Sequence, residues 1–381
     1  MSRRNISRPY SGGSLAPRRV LVTGAGGYVG SVLVPLLLES GYHVRAVDRF
    51  FFGRDLLPTD DRLEIVREDA RRLDQSHFGG VGAVIDLVAI SNDPSAEAFQ
   101  EATWAINREA RVRTAHLAKA SGVKRYVLPS SCSIYGFVPP GVCAEETSPT
   151  NPLTTYAKAN EKAEQGVLPL ADDDFCVVVL RLATAFGYSR RMRFDLAING
   201  MTYGAWKHGR LPLNRDGTQW RPMVHVRDAA RAQLFMVEAA ACDVNGRIFN
   251  VGSPRNTYQI GPLAKLVTEH VPRAVEIEWY GDPDHRSYRV SFERIERLGY
   301  RAETNAEEGV TEICHALDKG LIDKTPKTIT LEWYKMLEQW HGVLRDVELH
   351  GGVVNLSHQR AFGEGAEPSL QVTPQTVSAP R

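Results

Sequence analysis

From residue 18 onward, short β-branched runs alternate with longer stretches of helical periodicity. RRVLVTG (18–24) predicts a strand, YVGSVLVPLLLESG (28–41) a helix and YHVRAVD (42–48) a second strand. LEIVRED (63–69) and GAVIDLVA (82–89) predict the next two strands. A long helix is expected over SAEAFQEATWAINREARVRTAHLAKASGV (95–123), then a strand at KRYVLPSS (124–131). Another helix follows Pro152, and FCVVVLRLA (175–183) is a further strand. Strands apolar on both faces and separated by helices indicate a parallel sheet with right-handed crossovers, a Rossmann-type doubly wound α/β fold.

After about residue 186 the rhythm breaks, and Gly, Pro, Trp and Arg become frequent. The strand–helix pattern returns in VHVRDAARAQLFMVEAA (224–240) and in GRIFNVG (246–252), and 256–345 has mixed helical character. The expected organisation is a sheet domain over 18–185, joined by 224–255, and a smaller interleaved substrate-binding domain over 186–223 and 256–345. The smaller domain would cover the carboxyl ends of the strands, where such folds bind ligands. Residues 1–17 and 361–381 have the composition of disordered ends.

Composition narrows the classes of partner. The 381 residues carry a formal net charge of +1, which gives no electrostatic reason to expect nucleic acid or an anionic membrane. The apolar run VLVPLLL (32–38) is too short to cross a bilayer. Five cysteines at 132, 143, 176, 242 and 314 form no CxxC pair, so neither a disulfide framework nor a metal site is expected. A reducing cytoplasm fits this usage.

Candidate chemistry begins in VLVTGAGGYVG (20–30), where Gly24, Gly27 and Gly30 lie between a strand and a helix. Such a loop turns tightly, lets a pyrophosphate approach the backbone, and aims free helix N–H groups at it. Asp48 ends the second strand, where a carboxylate accepts adenosine ribose hydroxyls and repels a 2′-phosphate. NAD is therefore favoured over NADP, with Arg49 alongside softening the preference. Asp69, after the third strand, is a candidate acceptor for the adenine amino group.

Six motifs in order then carry a family resemblance: TGAGGYVG, DLVAISN, SSCSIYG, TTYAKAN, RLATAFG and RPMVHVRD. Over roughly residues 18 to 320 the chain resembles an extended short-chain dehydrogenase/reductase of the NAD-dependent epimerase/dehydratase family, whose members mostly modify nucleotide sugars. The resemblance implies NAD contacts from Tyr28, Val29, Ala70, Leu87, Val88, Ala89 and Asn107. It also implies a homodimer through the helices at 96–121 and about 153–166. Ser131, five residues before Gly136, would hold the reacting hydroxyl, and Tyr156 would exchange its proton. Where the family's dehydratases carry an Asp-Glu pair, this chain has Cys132 and Ser133, which disfavours a 4,6-dehydratase. Cys132 reads as an acid–base group or as a small buried thiol.

The family's YxxxK motif is altered, because its lysine position is Asn160. Four residues along a helix keep Asn160 on the face of Tyr156, while Lys158 and Lys162 point elsewhere. An asparagine can donate to the nicotinamide ribose but carries no charge. Losing the ammonium makes the phenolate scarcer by roughly one to three pH units' worth.

Substrate contacts implied by the resemblance are Ser91, Arg193, Asn199, Arg221 and Arg286, with Thr184 replacing a family asparagine. Arg221 and Arg286 would grip the diphosphate with guanidinium forks. Asp228 is expected to cap the helix that follows it, and His225 to be core. The leading expectation is an NAD-dependent nucleotide-sugar epimerase acting through a transient ketone. An NADH-dependent ketosugar-nucleotide reductase and an NAD-binding sensor or scaffold without turnover remain open.

Overall fold

The computed structural model describes residues 19–214, 216–281 and 286–349. The terminal segments expected to be disordered lie outside the described residues. The strands are β1 (Arg19–Thr23), β2 (His43–Asp48), β3 (Leu63–Arg67), β4 (Ala83–Asp86), β5 (Arg125–Ser131), β6 (Cys176–Leu182), β7 (Thr184–Phe186), β8 (Arg210–Asn214), β9 (Trp220–His225), β10 (Arg247–Val251), β11 (Thr257–Gln259) and β12 (Glu276–Tyr280). Seven of them form one parallel sheet in the order β10-β6-β5-β4-β1-β2-β3. The order reverses direction between β1 and β4, which opens a ligand crevice at the carboxyl ends of those strands.

Alternate residues of the central strands feed two cores. Val20, Val22, Ile85, Val127 and Val178 pack under helices Gly30–Glu39 and Val226–Glu238. Leu21, Val84, Leu128, Val177 and Val179 pack under helices Arg111–Ala120 and Thr155–Val167. Burying each such side chain contributes about 1.5–3 kcal/mol, enough to fix the register of the sheet.

The helix expected over 95–123 is broken. Helix Asp93–Ala98 ends at Phe99, whose φ of −128° and ψ of 57° leave the helical region. A short turn, Gln100–Thr103, leads into a π-helical stretch, Trp104–Ala110, and then into helix Arg111–Ala120. The Phe99 carbonyl accepts both the Thr103 N–H at 2.9 Å and Thr103 Oγ1 at 2.8 Å, a side-chain back-bond of the kind that bends helices. The widened turn is a common device at functional sites, and here it carries the buried Asn107 and leads into the buried Arg111.

Beyond β6, a three-stranded sheet (β11-β9-β7) and a β12-β8 pair sit with helices Ala197–His208, Ile260–His270 and Ala306–Asp318 around a separate apolar cluster. One compact unit runs as far as Trp333, and residues from Tyr334 belong to a second. The second is described as the continuation of helix Thr330–Leu349. No helix among the described residues is long and apolar enough to cross a membrane.

His225 is buried in the core as expected, but it, and not Asp228, caps the helix that follows. His225 caps helix Val226–Glu238, its Nδ1 accepting from the Arg227 N–H at 3.2 Å, while its Nε2 meets Glu312 at 2.8 Å. Asp228 instead accepts from the Glu303 and Thr304 N–H groups at 3.1 and 2.9 Å and so pins that loop.

Candidate active site

The glycine loop is built where only glycine fits. Gly24 has φ +65°, and a Cβ on it would lie 2.8 Å from the backbone of Leu87 and Val88. A Cβ on Gly30 would fall inside contact distance of the Gly24 and Ala25 carbonyl oxygens. Asp48 Oδ2 accepts from the Gly26 N–H at 3.0 Å and Oδ1 from the Phe50 N–H at 2.6 Å. Burial raises the Asp48 pKa, and these two N–H groups oppose the shift. A tight glycine cradle with a carboxylate at the adjacent strand end fits a dinucleotide. Gly30→Ala is therefore expected to cost about 1–3 kcal/mol of stability through overpacking. It should also weaken NAD binding, which thermal melts with and without NAD will show.

Several side chains expected at the cofactor are committed to the protein itself. Asp69 caps the turn Ala70–Arg72, accepts three bonds from Arg71 (3.0, 3.0 and 2.7 Å) and a fourth from Arg49 at 3.3 Å. Its lone pairs thus face guanidinium and backbone donors. Arg49 also lies over the Phe51 ring, 4.3 Å from its centre. Asn107 clamps the loop after β4, donating to the Ile90 carbonyl at 3.0 Å and accepting from the Ile90 N–H at 2.8 Å. That clamp holds Leu87, Val88 and Ala89 beside the glycine cradle. Ala70 is buried, and Val29 precedes the first helix. Tyr28 is buried too, its hydroxyl donating to the Gly187 carbonyl at 2.6 Å.

Tyr156 stands in the first turn of helix Thr155–Val167, capped by Thr154 Oγ1, which accepts from the Ala157 N–H at 3.2 Å. Ser131, at the end of β5, lies near enough to the phenol to lower its pKa. Ser131 Oγ accepts from the Ser133 N–H at 3.1 Å, which leaves its own proton available to donate. Burial raises the Tyr156 pKa, helped by Asp93 and opposed by Arg111, Ser131 and Arg193. Cys132 is fully buried, its thiol pKa is pushed far up by desolvation, and it donates to the Arg181 carbonyl at 3.2 Å. It is a structural thiol. Ser133 Oγ is buried without a protein partner.

Asn160 is bonded within the protein on both its amide nitrogen and its carbonyl oxygen. It is 1% exposed, its Nδ2 donates to the Tyr156 carbonyl at 3.0 Å, and its Oδ1 accepts from Arg111 Nη1 at 2.9 Å. The charge missing from position 160 is thus present nearby, on an arginine from the preceding helix. Lys158 and Lys162 are exposed.

Across the crevice, Arg193 and Asp195 form a buried fork-to-fork pair, both bonds 2.9 Å. Arg193 Nη1 donates to Ser91 Oγ at 3.1 Å, and Asn92 Nδ2 donates to Asp195 at 2.6 Å. Asp93 accepts from Thr154 Oγ1 at 2.6 Å and from Arg286. The 91–93 turn thereby ties the tyrosine helix to the arginines. Asn199 is also internal, joining Gly187 N–H, the Tyr28 hydroxyl and the Arg193 carbonyl at 2.9, 3.1 and 2.9 Å. Thr184 lies on β7, opposite Met223 of β9. Arg221 donates to the Trp220 carbonyl at 2.9 Å and to the Arg286 carbonyl, with its guanidinium over the Tyr288 ring. Beyond Tyr288 opens a cavity of about 620 Å³, lined among others by Phe137, Leu153, Gln219, Trp220 and Gln259.

The model of the NAD dependent epimerase/dehydratase family matches residues 20–252, more than half the chain. The chain belongs to that family. This epimerase/dehydratase is an NAD-dependent enzyme of the extended short-chain dehydrogenase/reductase type. It is 27% identical to UDP-glucose 4-epimerase of Corynebacterium glutamicum over 81% of its own length and 98% of that protein. It is 24% identical to UDP-glucuronic acid decarboxylase 1 of Xenopus tropicalis, over 80% of its length and 73% of that protein. The solved structure of MoeE5 with UDP-glucuronic acid and NAD is 27% identical, with a TM-score of 0.69 over 79% of this chain and 99% of that one.

Three residues near Tyr156 and Arg193 in this candidate site were not singled out from the sequence: Arg111, Asp93 and Asp195. Asp86 offered one signal. A carboxylate ending an apolar buried strand needs a nearby cation, and Arg111 Nε lies 3.9 Å from it.

Proposed function

We propose that the enzyme interconverts C4 epimers of a UDP-linked sugar through a transient ketone. The supporting observation is Ser131 close to Tyr156, with a buried thiol and a serine rather than an acid pair following Ser131. Elimination of water needs a further acid and base, and the neighbours here are a thiol held protonated and a serine. The UDP-glucose 4-epimerase relative, matched over nearly its whole length, supports the same reading.

Tyr156 Oη takes the proton of the reacting sugar hydroxyl as its O–H bond breaks, and Ser131 Oγ holds that oxygen as it becomes a carbonyl. NAD, when bound, supplies reversible hydride acceptance at the sugar carbon. Gly24, Gly27 and Gly30 would hold its pyrophosphate and Asp48 its ribose. Arg221 and Arg286 orient the diphosphate, and the 620 Å³ cavity behind Tyr288 is large enough for part of a nucleotide sugar. Rotation of the ketone about its diphosphate link presents the other face, and Tyr156 returns the proton.

A second reading, an NADH-dependent ketosugar reductase, is favoured by one observation: burial holds Tyr156 neutral, the form that donates a proton. The pH profile separates the two. A base with a raised pKa gives kcat/KM that climbs through the alkaline range, whereas an acid gives a plateau at neutral pH and a fall above it. A screen of UDP-sugars followed by absorbance of NADH and by chromatography tests the proposal. Epimer formation without net NADH consumption is expected. Stoichiometric NADH loss would establish the reductase, and bound NAD with no turnover a non-catalytic role.

A further inference from the structure

Resting on the epimerase reading, one further role falls to a residue outside the expected site. We infer that Arg111, bonded to Asn160, supplies Tyr156 with the positive charge that the family lysine would carry at position 160. Arg111 is a positioning residue here, since it acts through Asn160.

The geometry is specific. Arg111 is 1% exposed and among the largest fully buried side chains. Its Nη1 reaches Asn160 at 2.9 Å, and its Nη2 donates to the carbonyls of Asp86, at 3.1 Å, and Pro129. A lysine at 160 would put an ammonium against this guanidinium in a buried setting, so one cation excludes the other. An asparagine resolves the conflict, because its carbonyl faces the guanidinium while its amide group bonds the Tyr156 backbone. The site therefore keeps a cation beside the tyrosine helix but draws it from a helix 49 residues earlier.

Other charges bear on the phenol. Asp93 raises its pKa, and Arg193 lowers it from across the crevice while paired to Asp195. Behind Arg111, the buried Asp86 accepts from the Thr23 and Tyr126 hydroxyls, which spread its charge away from the guanidinium. Arg111 lowers the Tyr156 pKa despite that counter-ion.

Arg111→Met is expected to move the rising limb of the kcat/KM profile up by about one pH unit, with about tenfold less activity at pH 7. Arg111→Met/Asn160→Lys should move it back. Asn160→Lys alone should lower the melting temperature without improving activity. Should Arg111→Met not fold because Asp86 is left unpaired, Asp86→Asn/Arg111→Met removes both charges and should show the same shift. The titration of Tyr156 by NMR of ring-labelled protein, assigned by loss of its signal in Tyr156→Phe, reads the same effect without substrate. That measurement stands even if the wild type proves not to be an epimerase. An unchanged tyrosine titration and pH limb in a folded Arg111→Met or double-neutral variant would overturn the inference, as would failure of the added lysine to restore them.

Discussion

Tyr156→Phe is expected to cut turnover by about 10²–10⁴-fold while leaving NAD and nucleotide-sugar binding close to wild type. The substitution removes only the hydroxyl that exchanges the proton, and helix Thr155–Val167 keeps its Thr154 cap. Ser131 keeps its bond from the Ser133 N–H. Steady-state rates together with cofactor titration check this. A folded variant with more than a tenth of wild-type turnover would mean that another group moves the proton. Cys132 would be the wrong place to look for it, since burial keeps that thiol protonated.

The largest expected effect on stability is at Asp195. Burial pushes its carboxyl pKa up, but the Arg193 charge and forked hydrogen bonds more than reverse this and hold it at about 2. A folded pKa below the unfolded value of about 3.9 stabilises the protein at every pH above that value. The stabilisation is lost as pH falls from about 4 toward 2, and it amounts to roughly 2 kcal/mol. Asp195→Asn removes the anion and leaves Arg193 buried and unpaired, a change that typically costs about 3–5 kcal/mol. Denaturant melts at pH 7 should show the loss, and the variant's stability should vary less between pH 4 and 2 than the wild type's. Equal stability of the two proteins at pH 7 would contradict the structural role given to the pair.

The glycine cradle and Asp48 were legible in the sequence because local backbone requirements fix them. A left-handed Gly24, a Gly30 pressed against two carbonyls and an acid ending β2 follow from spacing alone. The strands of the main sheet were legible too, the central ones because buried parallel strands are continuous apolar runs, whereas the edge strand β3 is largely exposed. The break at Phe99 was not, because helical periodicity resumes after the π turn and the pattern reads straight through it.

Side-chain destinations were legible only in part. Helix geometry placed Asn160 on the face of Tyr156, but no local rule reveals a guanidinium arriving from another helix. Asn107 and Asn199 have the chemistry of ligand contacts, yet their amides are taken up by Ile90 and by Tyr28, Gly187 and Arg193. An amide has the same donors and acceptors whether it faces a ligand or a backbone, so its partner is settled by tertiary packing.

The central claim is reversible oxidation and reduction at one sugar carbon, with Tyr156 exchanging the proton. Its most direct test is to incubate the protein, loaded with NAD, with a UDP-hexose carrying deuterium at C4 and to follow the mixture by NMR. The account predicts interconversion of the C4 epimers with deuterium retained at C4 and no net change in NADH. Loss of deuterium to solvent, or product formed only with stoichiometric consumption of NADH, would contradict it.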